Sequence, residues 1–369
     1  MAALGWGDED FMVGHLPTIR KAPAPVTPRN SALNAALVTD LHLTDAPRDA
    51  YRWALFPWLI DLLRKSSFPI YYLVLLGDLT DAKDSHNSRL VNRIVDCLTS
   101  VLTHTVIRRL YVLRGNHDGV DPACPYFRFL RHLPAIHYVD TQWSEDLAGC
   151  RVLMLPHTRN PKDEWLLAEF SEPDVIFMHA TVQGAVAENG VVLDGVHHGY
   201  FTHCRADIYS GDVHVPQQVG KVQYVGAPYP IHFGDKFSGG VTLLQNGHFH
   251  SAPRFDTIRR RSLSIRSVEE LRGAGLRAKD QCKISLTLPR AEYGEWSTHK
   301  KQITAWCSDN EVVLMGLELA PQDPVATSAG AQAGKHASTP SQVLEAYCRA
   351  HKINPSLQKT GLSFLDGTN

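Results

Sequence analysis

Side chains able to bind a cation recur in this chain at one kind of place, just after a short apolar run. AALVT is followed by Asp40-Leu41-His42, IYYLVLL by Gly77-Asp78, and RLYVLR by Gly115-Asn116-His117-Asp118. DVIFM is followed by His179, and ADIYS by Gly211-Asp212-Val213-His214. Carboxylate, carboxamide and imidazole groups without a thiolate favour Mn²⁺, with Fe²⁺, Zn²⁺ or Mg²⁺ as alternatives. Four such groups around one ion, and a second set sharing a carboxylate, make a two-metal site. Ions about 3.5–4 Å apart then stabilise both the attacking and the leaving oxygen at phosphorus. Each piece also has a plainer explanation. Asp40 and Asp78 could cap turns, Asn116 is a common turn residue, and His179 could be a satisfied core histidine. The repeated placement at five strand ends is what points to one site.

A rival motif complicates the choice. Residues 247–250 read GHFH, at first sight a better metal-binding stretch than SGDVH at 210–214. GHFH, however, overlaps Asn246-Gly247, a strong hairpin-turn signal, so His248 and His250 are expected to alternate along one face of a strand.

The elements that must position these groups follow a rhythm that sets in at residue 35. AALVT is followed by an apolar periodic stretch over Tyr51 to Arg64, then by IYYLVLL. SRLVNRIVDCLTSVL comes next, with Leu90, Ile94, Val95 and Leu98 on one helical face, and then RLYVLR. Short β-rich runs alternating with helix-period segments predict an α/β sheet. In such sheets ligands sit outside the carboxyl ends of the strands, where the five motifs would converge. After residue 135 the strands crowd together (HYVD, CRVLML, DVIFMH, ADIYS, VQYVG, GVTLL), with PKDEWLLAEF as one helix-like stretch. A second, more antiparallel sheet is expected there.

Composition narrows the class. The chain has 369 residues, 44% hydrophobic and 20% charged, with a net charge of −1. That is the make-up of a globular protein able to bury a sizeable core, without a global basic field for a polyanion. Seven scattered cysteines and no C-x-x-C argue against a disulfide scaffold or a thiolate zinc site and suit a reducing compartment. The opening MAALGWGDEDF does not resemble a signal peptide, and the strongest apolar run, Ile70 to Leu76, is too short to span a bilayer. A cytoplasmic protein with no membrane partner is expected.

Residues 1–34 read as an N-terminal extension and 35–258 as the catalytic domain. Residues 259–320 read as a small β-α-β appendage, 321–338 as a flexible linker, and 339–369 as a C-terminal helical segment. Thr339-Pro340-Ser341-Gln342 is a capping box that would open that last helix. Arg259, Arg260, Arg261, Arg266, Arg272, Arg277 and Lys279 are either a solvated surface or phosphate contacts.

The series D-x-H, GD, GNHD, a lone His and a final G-x-x-H resembles the calcineurin-like metallophosphoesterase superfamily, over residues 40–214. The tail VQYVGAPYPIHFGD is similar to the Y-x-G-S-P…F-G-D/E stretch of SbcD-type phage and bacterial nucleases, with Ala227 where Ser is usual. The resemblance implies a four-layer sandwich of two mixed β-sheets flanked by helices, with a β-α-β capping domain and a C-terminal helix. It implies one metal held by Asp40, His42, Asp78 and His214, and a second by Asp78, Asn116, His179 and Asp212. His117 would contact phosphate and act as acid, Asp118 would orient His117, and a metal-bound hydroxide would be the nucleophile. The family's fifth motif is G-H-x-H and precedes the G-A-P stretch. SGDVH therefore matches it, with Asp212 in the place of a histidine, while GHFH falls after that stretch. Asp81 also departs from the pattern, standing where such nucleases often carry His. Lys83, Asp84 and His86 follow it in a polar loop that could contact phosphate or simply be solvated.

The implied activity is DNA phosphodiester hydrolysis, as the exonuclease subunit paired with a coiled-coil SbcC-type ATPase. A homodimer is a further candidate assembly. The alternatives are a stand-alone phosphomonoesterase, or a small-molecule or cyclic-nucleotide phosphodiesterase, on the same site. A metal-holding subunit without activity fits the intact GNHD less well.

Overall fold

The computed structural model describes residues 32–167, 172–233 and 239–321, with Leu344, residues 347–349, Asn354 and Gln358. β1 (Ala35–Val38) has all four residues buried, as expected of a strand covered on both faces. A 3-10 turn over Pro47–Ala54 leads into α1 (Leu55–Lys65), followed by β2 (Tyr72–Leu75). α2 (Ser88–His104) starts at Asn87, whose side chain accepts the Leu90 N–H at 2.9 Å. It buries Leu90, Ile94, Leu98 and Val101, one stripe at helical spacing. β3 (Arg109–Leu113) and β4 (Ile136–Val139) complete a run of four parallel strands.

The chain then builds β5 (Trp143–Leu147), β6 (Cys150–Leu155), the short α3 (Pro161–Glu164), β7 (Val175–His179), β8 (Asp207–Gly211), β9 (Gln217–Val219) and β10 (Val222–Tyr224). These strands form a second six-stranded sheet in the order β5-β6-β7-β8-β10-β9. β11 (Thr242–Gln245) and β12 (His248–Ser251) return to the first sheet, whose order is β12-β11-β1-β2-β3-β4.

Two expectations are corrected here. The second sheet is no more antiparallel than the first. β6, β7, β8 and β10 are mutually parallel and only its two edges run antiparallel. The connections from β6 to β7 and from β7 to β8 are long enough to carry the chain back, and both β6 and β7 are apolar runs buried almost throughout. Among the described residues of PKDEWLLAEF, the α-helix covers Pro161–Glu164. Trp165 leaves the helix and buries its ring, with Nε1 donating to the Pro156 carbonyl at 3.2 Å.

Alternation along the strands divides the core into layers. Ala36, Val38, Leu73, Leu75, Leu110 and Val112 share one cluster with Leu59 and Leu63 of α1 and with Leu90, Ile94 and Leu98 of α2. Leu37, Val74, Tyr111, Val152, Phe177 and Tyr209 fill the space between the two sheets. Leu153, Ile176, Met178 and Ile208 face Trp165 and Phe201 on the far side. Helices, sheet, sheet and an outer layer of short segments make a four-layer α/β sandwich of two mixed sheets.

A third sheet, β13-β14-β15, is formed by β13 (Arg260–Ile265), β14 (Gln281–Leu288) and β15 (Val313–Pro321), with α4 (Glu269–Gly273) and α5 (Trp296–Asp309) between them. It has one strand and one short helix more than the β-α-β reading. Contacts divide the chain into Met1–Leu263 with Leu276–Lys283 and Cys307–Met315, and Ser264–Gly275 with Ile284–Trp306 and Gly316–Asn369. The arginine run is partly internal to the first unit. Arg260 is buried, with Nε donating to Gln281 Oε1 at 3.0 Å, Nη1 to the Ile231 carbonyl at 2.6 Å, and Nη2 paired with Asp49. Arg259 is clamped on the buried Asp280, which also accepts the Arg277 N–H. The N-terminal extension, the linker and most of the C-terminal helical segment lie outside the described residues.

Candidate metal centre

Each predicted ligand sits at or just beyond the carboxyl end of a central strand. Asp40 and His42 follow β1, Asp78 follows β2, Asn116 follows β3, His179 ends β7, and Asp212 and His214 follow β8, while His117, the expected acid, comes next after Asn116. The backbone turns sharply to aim them. Asp40, His42, Asp78 and Asp212 have φ of 52°, 42°, 54° and 76°, left-handed values that Asp, Asn and His tolerate best among side-chain-bearing residues. Gly115 shows how tightly the turns nest, since a Cβ there would collide with the Asp78 carboxylate and backbone nitrogen.

The structure brings all seven together. Asp40, His42 and His214 offer ligand atoms within 4.8 Å of one another, and so do Asp40, Asp78 and His179. Asp78 lies between the two halves, with Oδ2 3.6 Å from His42 Nε2 and Oδ1 3.4 Å from His179 Nε2. His179 Nε2 is also 3.6 Å from Asp212 Oδ1 and 3.1 Å from the Asn116 amide. The hydrogen-bond network turns the Asn116 nitrogen towards Asp78, 2.9 Å from each carboxylate oxygen. Outer contacts aim the ligands. His179 Nδ1 donates to the Leu76 carbonyl at 2.5 Å, Thr181 Oγ1 donates to Asp212 Oδ2 at 2.6 Å, and the Asp212 N–H donates to Asp40 Oδ1 at 3.2 Å.

The resemblance implied that Asp118 orients His117, and the structure engages its carboxylate with the backbone. Asp118 is fully buried, and its carboxylate accepts the N–H groups of Asp78 (3.0 Å), Leu79 (2.9 Å) and Gly115 (2.7 Å), tying the ends of β2 and β3 together. The turn from Gly115 to Asp118, closed by the Asp118 N–H donating to the Gly115 carbonyl at 3.4 Å, brings the carboxylate back onto the backbone. His117 instead has Nδ1 3.2 Å from the Asp81 carbonyl oxygen and 3.8 Å from Asp81 Oδ1. Its N–H donates to Asp78 Oδ1 at 2.9 Å, and its side chain is 31% exposed, open to a substrate.

Electrostatics make this a place for cations. Burial pushes the Asp78 carboxyl well above the usual carboxylate range, with Asp40 and Asp118 adding to it. His42 is driven down to about 4 by burial, so it is neutral. Burial also acts to lower His179 and His214. In His179 it is outweighed by Asp78, Asp212 and Asp40, and in His214 by Glu188 and Asp40, so both rise to about 9. His42 Nε2 and His214 Nε2 face each other at 3.2 Å, an approach two imidazoles make only across a shared proton or a cation. Asp40 Oδ2 is buried without a hydrogen-bond partner. Crowded buried carboxylates, an orphaned carboxylate oxygen and facing imidazole nitrogens fit a divalent-ion pair without further rearrangement.

Sequence reasoning missed two carboxylates. Asp81 Oδ1 lies 3.3 Å from His42 Nδ1, and Glu188 Oε1 lies 3.0 Å from His214 Nδ1 and 3.5 Å from His232 Nε2. Asp81 was visible only as a departure from a pattern. Glu188 precedes Asn189-Gly190, a hairpin signal that places it at a turn tip and says nothing of what the tip touches. GHFH lies elsewhere. His248 pairs with Asp207, the first residue of β8, at 2.8 Å, and His250 packs edge-on against Phe68, which precedes β2. Those are the amino ends of the strands whose carboxyl ends carry the ligands.

Residues 33–216 match the family model described as calcineurin-like phosphoesterase, so this part of the chain is a calcineurin-like phosphoesterase domain. Together with the clustered ligands, that domain supports a metal-dependent phosphoesterase. No curated protein matches the chain significantly. Among solved structures, a protein of unknown function from Aquifex aeolicus is similar over 53% of this chain and 89% of its own, at 16% identity and a TM-score of 0.26, a likeness too weak to add to the fold. Among the described residues, no helix is long and apolar enough to cross a membrane.

Proposed function

We propose that this chain hydrolyses phosphodiesters with two divalent cations, Mn²⁺ foremost, and that DNA is its substrate, as in an SbcD-type exonuclease subunit. The observation that supports the chemistry best is Asp78, a buried carboxylate placed between two ligand sets at one rim. Cations bound there would stabilise the attacking and leaving oxygens at phosphorus. Asp40, His42, Asp78 and His214 would hold one, and Asp78, Asn116, His179 and Asp212 the other. His117 has Nδ1 engaged by Asp81, which leaves Nε2 to contact a phosphoryl oxygen and hand a proton to the leaving oxygen. Asp118 holds the frame through the N–H groups of Asp78, Leu79 and Gly115.

The nuclease reading draws support from the G-A-P stretch. The Ala227 N–H donates to the His214 carbonyl at 2.9 Å, so this stretch braces the last ligand loop. The domain division into a catalytic part, a capping part over 259–320 and a tethered tail belongs to the same proposal. So does a coiled-coil ATPase partner. A second reading, a small phosphoester substrate, is favoured by Asp81 and Glu188, whose negative charge beside the rim repels a polyanion. Labelled single- and double-stranded DNA, tested with Mn²⁺ beside nitrophenyl phosphate mono- and diesters, separates the two. DNA cleavage is the expected result, and hydrolysis of the small monoester alone would overturn the nuclease reading.

A further inference from the structure

His214 divides its two ring nitrogens between different neighbours. Nε2 faces His42 across the centre at 3.2 Å, while Nδ1 is 3.0 Å from Glu188 Oε1. Glu188 is held from a distance in sequence by a small built device. The segment between β7 and β8 folds back on itself, with the Ala187 N–H donating to the Val191 carbonyl and the Gly190 N–H to the Ala187 carbonyl, each at 2.9 Å. Gly190 closes the turn at φ 84°, a left-handed value that suits glycine. Glu188 occupies the tip. Gln217, which opens β9, grips one arm of this hairpin from both sides. Its Oε1 accepts the Val186 N–H at 2.8 Å and its Nε2 donates to the Val186 carbonyl at 2.7 Å. The Glu188 side chain is only 18% exposed, so the contact with His214 is shielded from bulk water.

We infer that Glu188 is a positioning residue for the metal centre. Its carboxylate holds His214 through Nδ1–H, so that Nε2 presents its lone pair to the cation shared with Asp40 and His42. The inference rests on the metal reading above. A ring free to rotate would offer either nitrogen, and the tautomer with a proton on Nε2 could not bind through Nε2, the nitrogen that faces the centre. An anion behind the ring selects the useful tautomer and makes the imidazole a stronger donor. The other two ligand histidines are backed differently. His179 leans on a backbone carbonyl, and His42 has the half-exposed Asp81 near Nδ1 without an aligned hydrogen bond. Of these three, and among the described residues, His214 alone has a carboxylate hydrogen bond behind it.

The test is Mn²⁺ binding by calorimetry and elemental analysis on the full chain, with metal-free melting temperatures measured alongside. The wild type should bind two ions. E188Q should weaken one ion by about 10–100-fold, leave the other, and melt unchanged without metal. E188D should recover part of the loss. Q217A, which loosens the hairpin without touching a ligand, should weaken the same ion by a smaller factor. Wild-type affinity for both ions in E188Q would overturn the inference, as would loss of both ions together with a lowered metal-free melting temperature. A wild type that takes up no divalent ion would overturn the metal reading itself, and is told apart by that.

Discussion

Two stretches of this chain spell nearly the same word, and their surroundings give them opposite physics. Asp212 and His214 follow a buried strand at its carboxyl end, with Asp212 in the left-handed region, bonded to Thr181 and facing the buried His179. His248 and His250 lie on the edge strand β12, and both are exposed. Their partners, Asp207 and Phe68, stand at the amino ends of strands. Buried carboxylates crowd around His179 and His214 at the carboxyl rim of the sheets, whereas His248 and His250 stand in solvent at the other end. Motif spelling is secondary to which end of a strand carries it.

The largest effect that could break this contrast is at the carboxylate shared by the two halves of the rim. Asp78→Ala should reduce hydrolysis to background and lower the number of bound ions, as read by turnover and elemental analysis. Persistent Mn²⁺-dependent turnover would show that the rim is not the centre. His117→Ala should lower turnover by about 10²–10⁴-fold while metal content stays near normal. Loss of both ions in that variant would instead make His117 a ligand.

Proton release sharpens the contrast further. His179 and His214 stand at about 9 without metal, so below that pH a cation must displace their protons to bind. Mn²⁺ affinity should therefore climb as pH rises to about 9 and level off above it, by up to about tenfold per unit for each proton displaced. Calorimetry across pH 6–10 reads this directly, and a flat profile would count against imidazole ligation. The smallest effect is expected at the edge strand. Replacing His248 and His250 together with Gln should leave metal content and turnover unchanged, while His214→Ala measured beside it loses an ion. The reverse pattern would move the metal site to GHFH.

Much of the rim was legible because each ligand follows an apolar run long enough to be a strand, and strand ends in an α/β sheet converge. The direction of pairing in the second sheet was less legible. Runs close together in sequence look like hairpins, yet the connection from β7 to β8 is long enough to return the chain and pair them parallel. Adjacency to His117 in sequence gave no hint of the three backbone N–H groups that the Asp118 carboxylate accepts. Glu188 left no signal of its role. A carboxylate on a loop tip is ordinary, and its value here depends on Gln217, far along the chain, gripping the loop. The arginine run was half legible, because the charge was plain while the buried partners Asp49 and Asp280 were not.

The left-handed backbone at Asp40, His42, Asp78 and Asp212 also restricts which substitutions the centre can drift through. A residue at φ 76° in position 212 must tolerate a conformation that β-branched and bulky side chains resist, and apart from glycine the types at ease there are Asn, Asp and His. Those are also the types that ligate a divalent cation through oxygen or imidazole nitrogen. Two independent filters, one steric and one chemical, thus admit almost the same short alphabet. An exchange of imidazole for carboxylate at 212 stays inside it, so such a site can change the charge it offers its ion without rebuilding the turn that holds it.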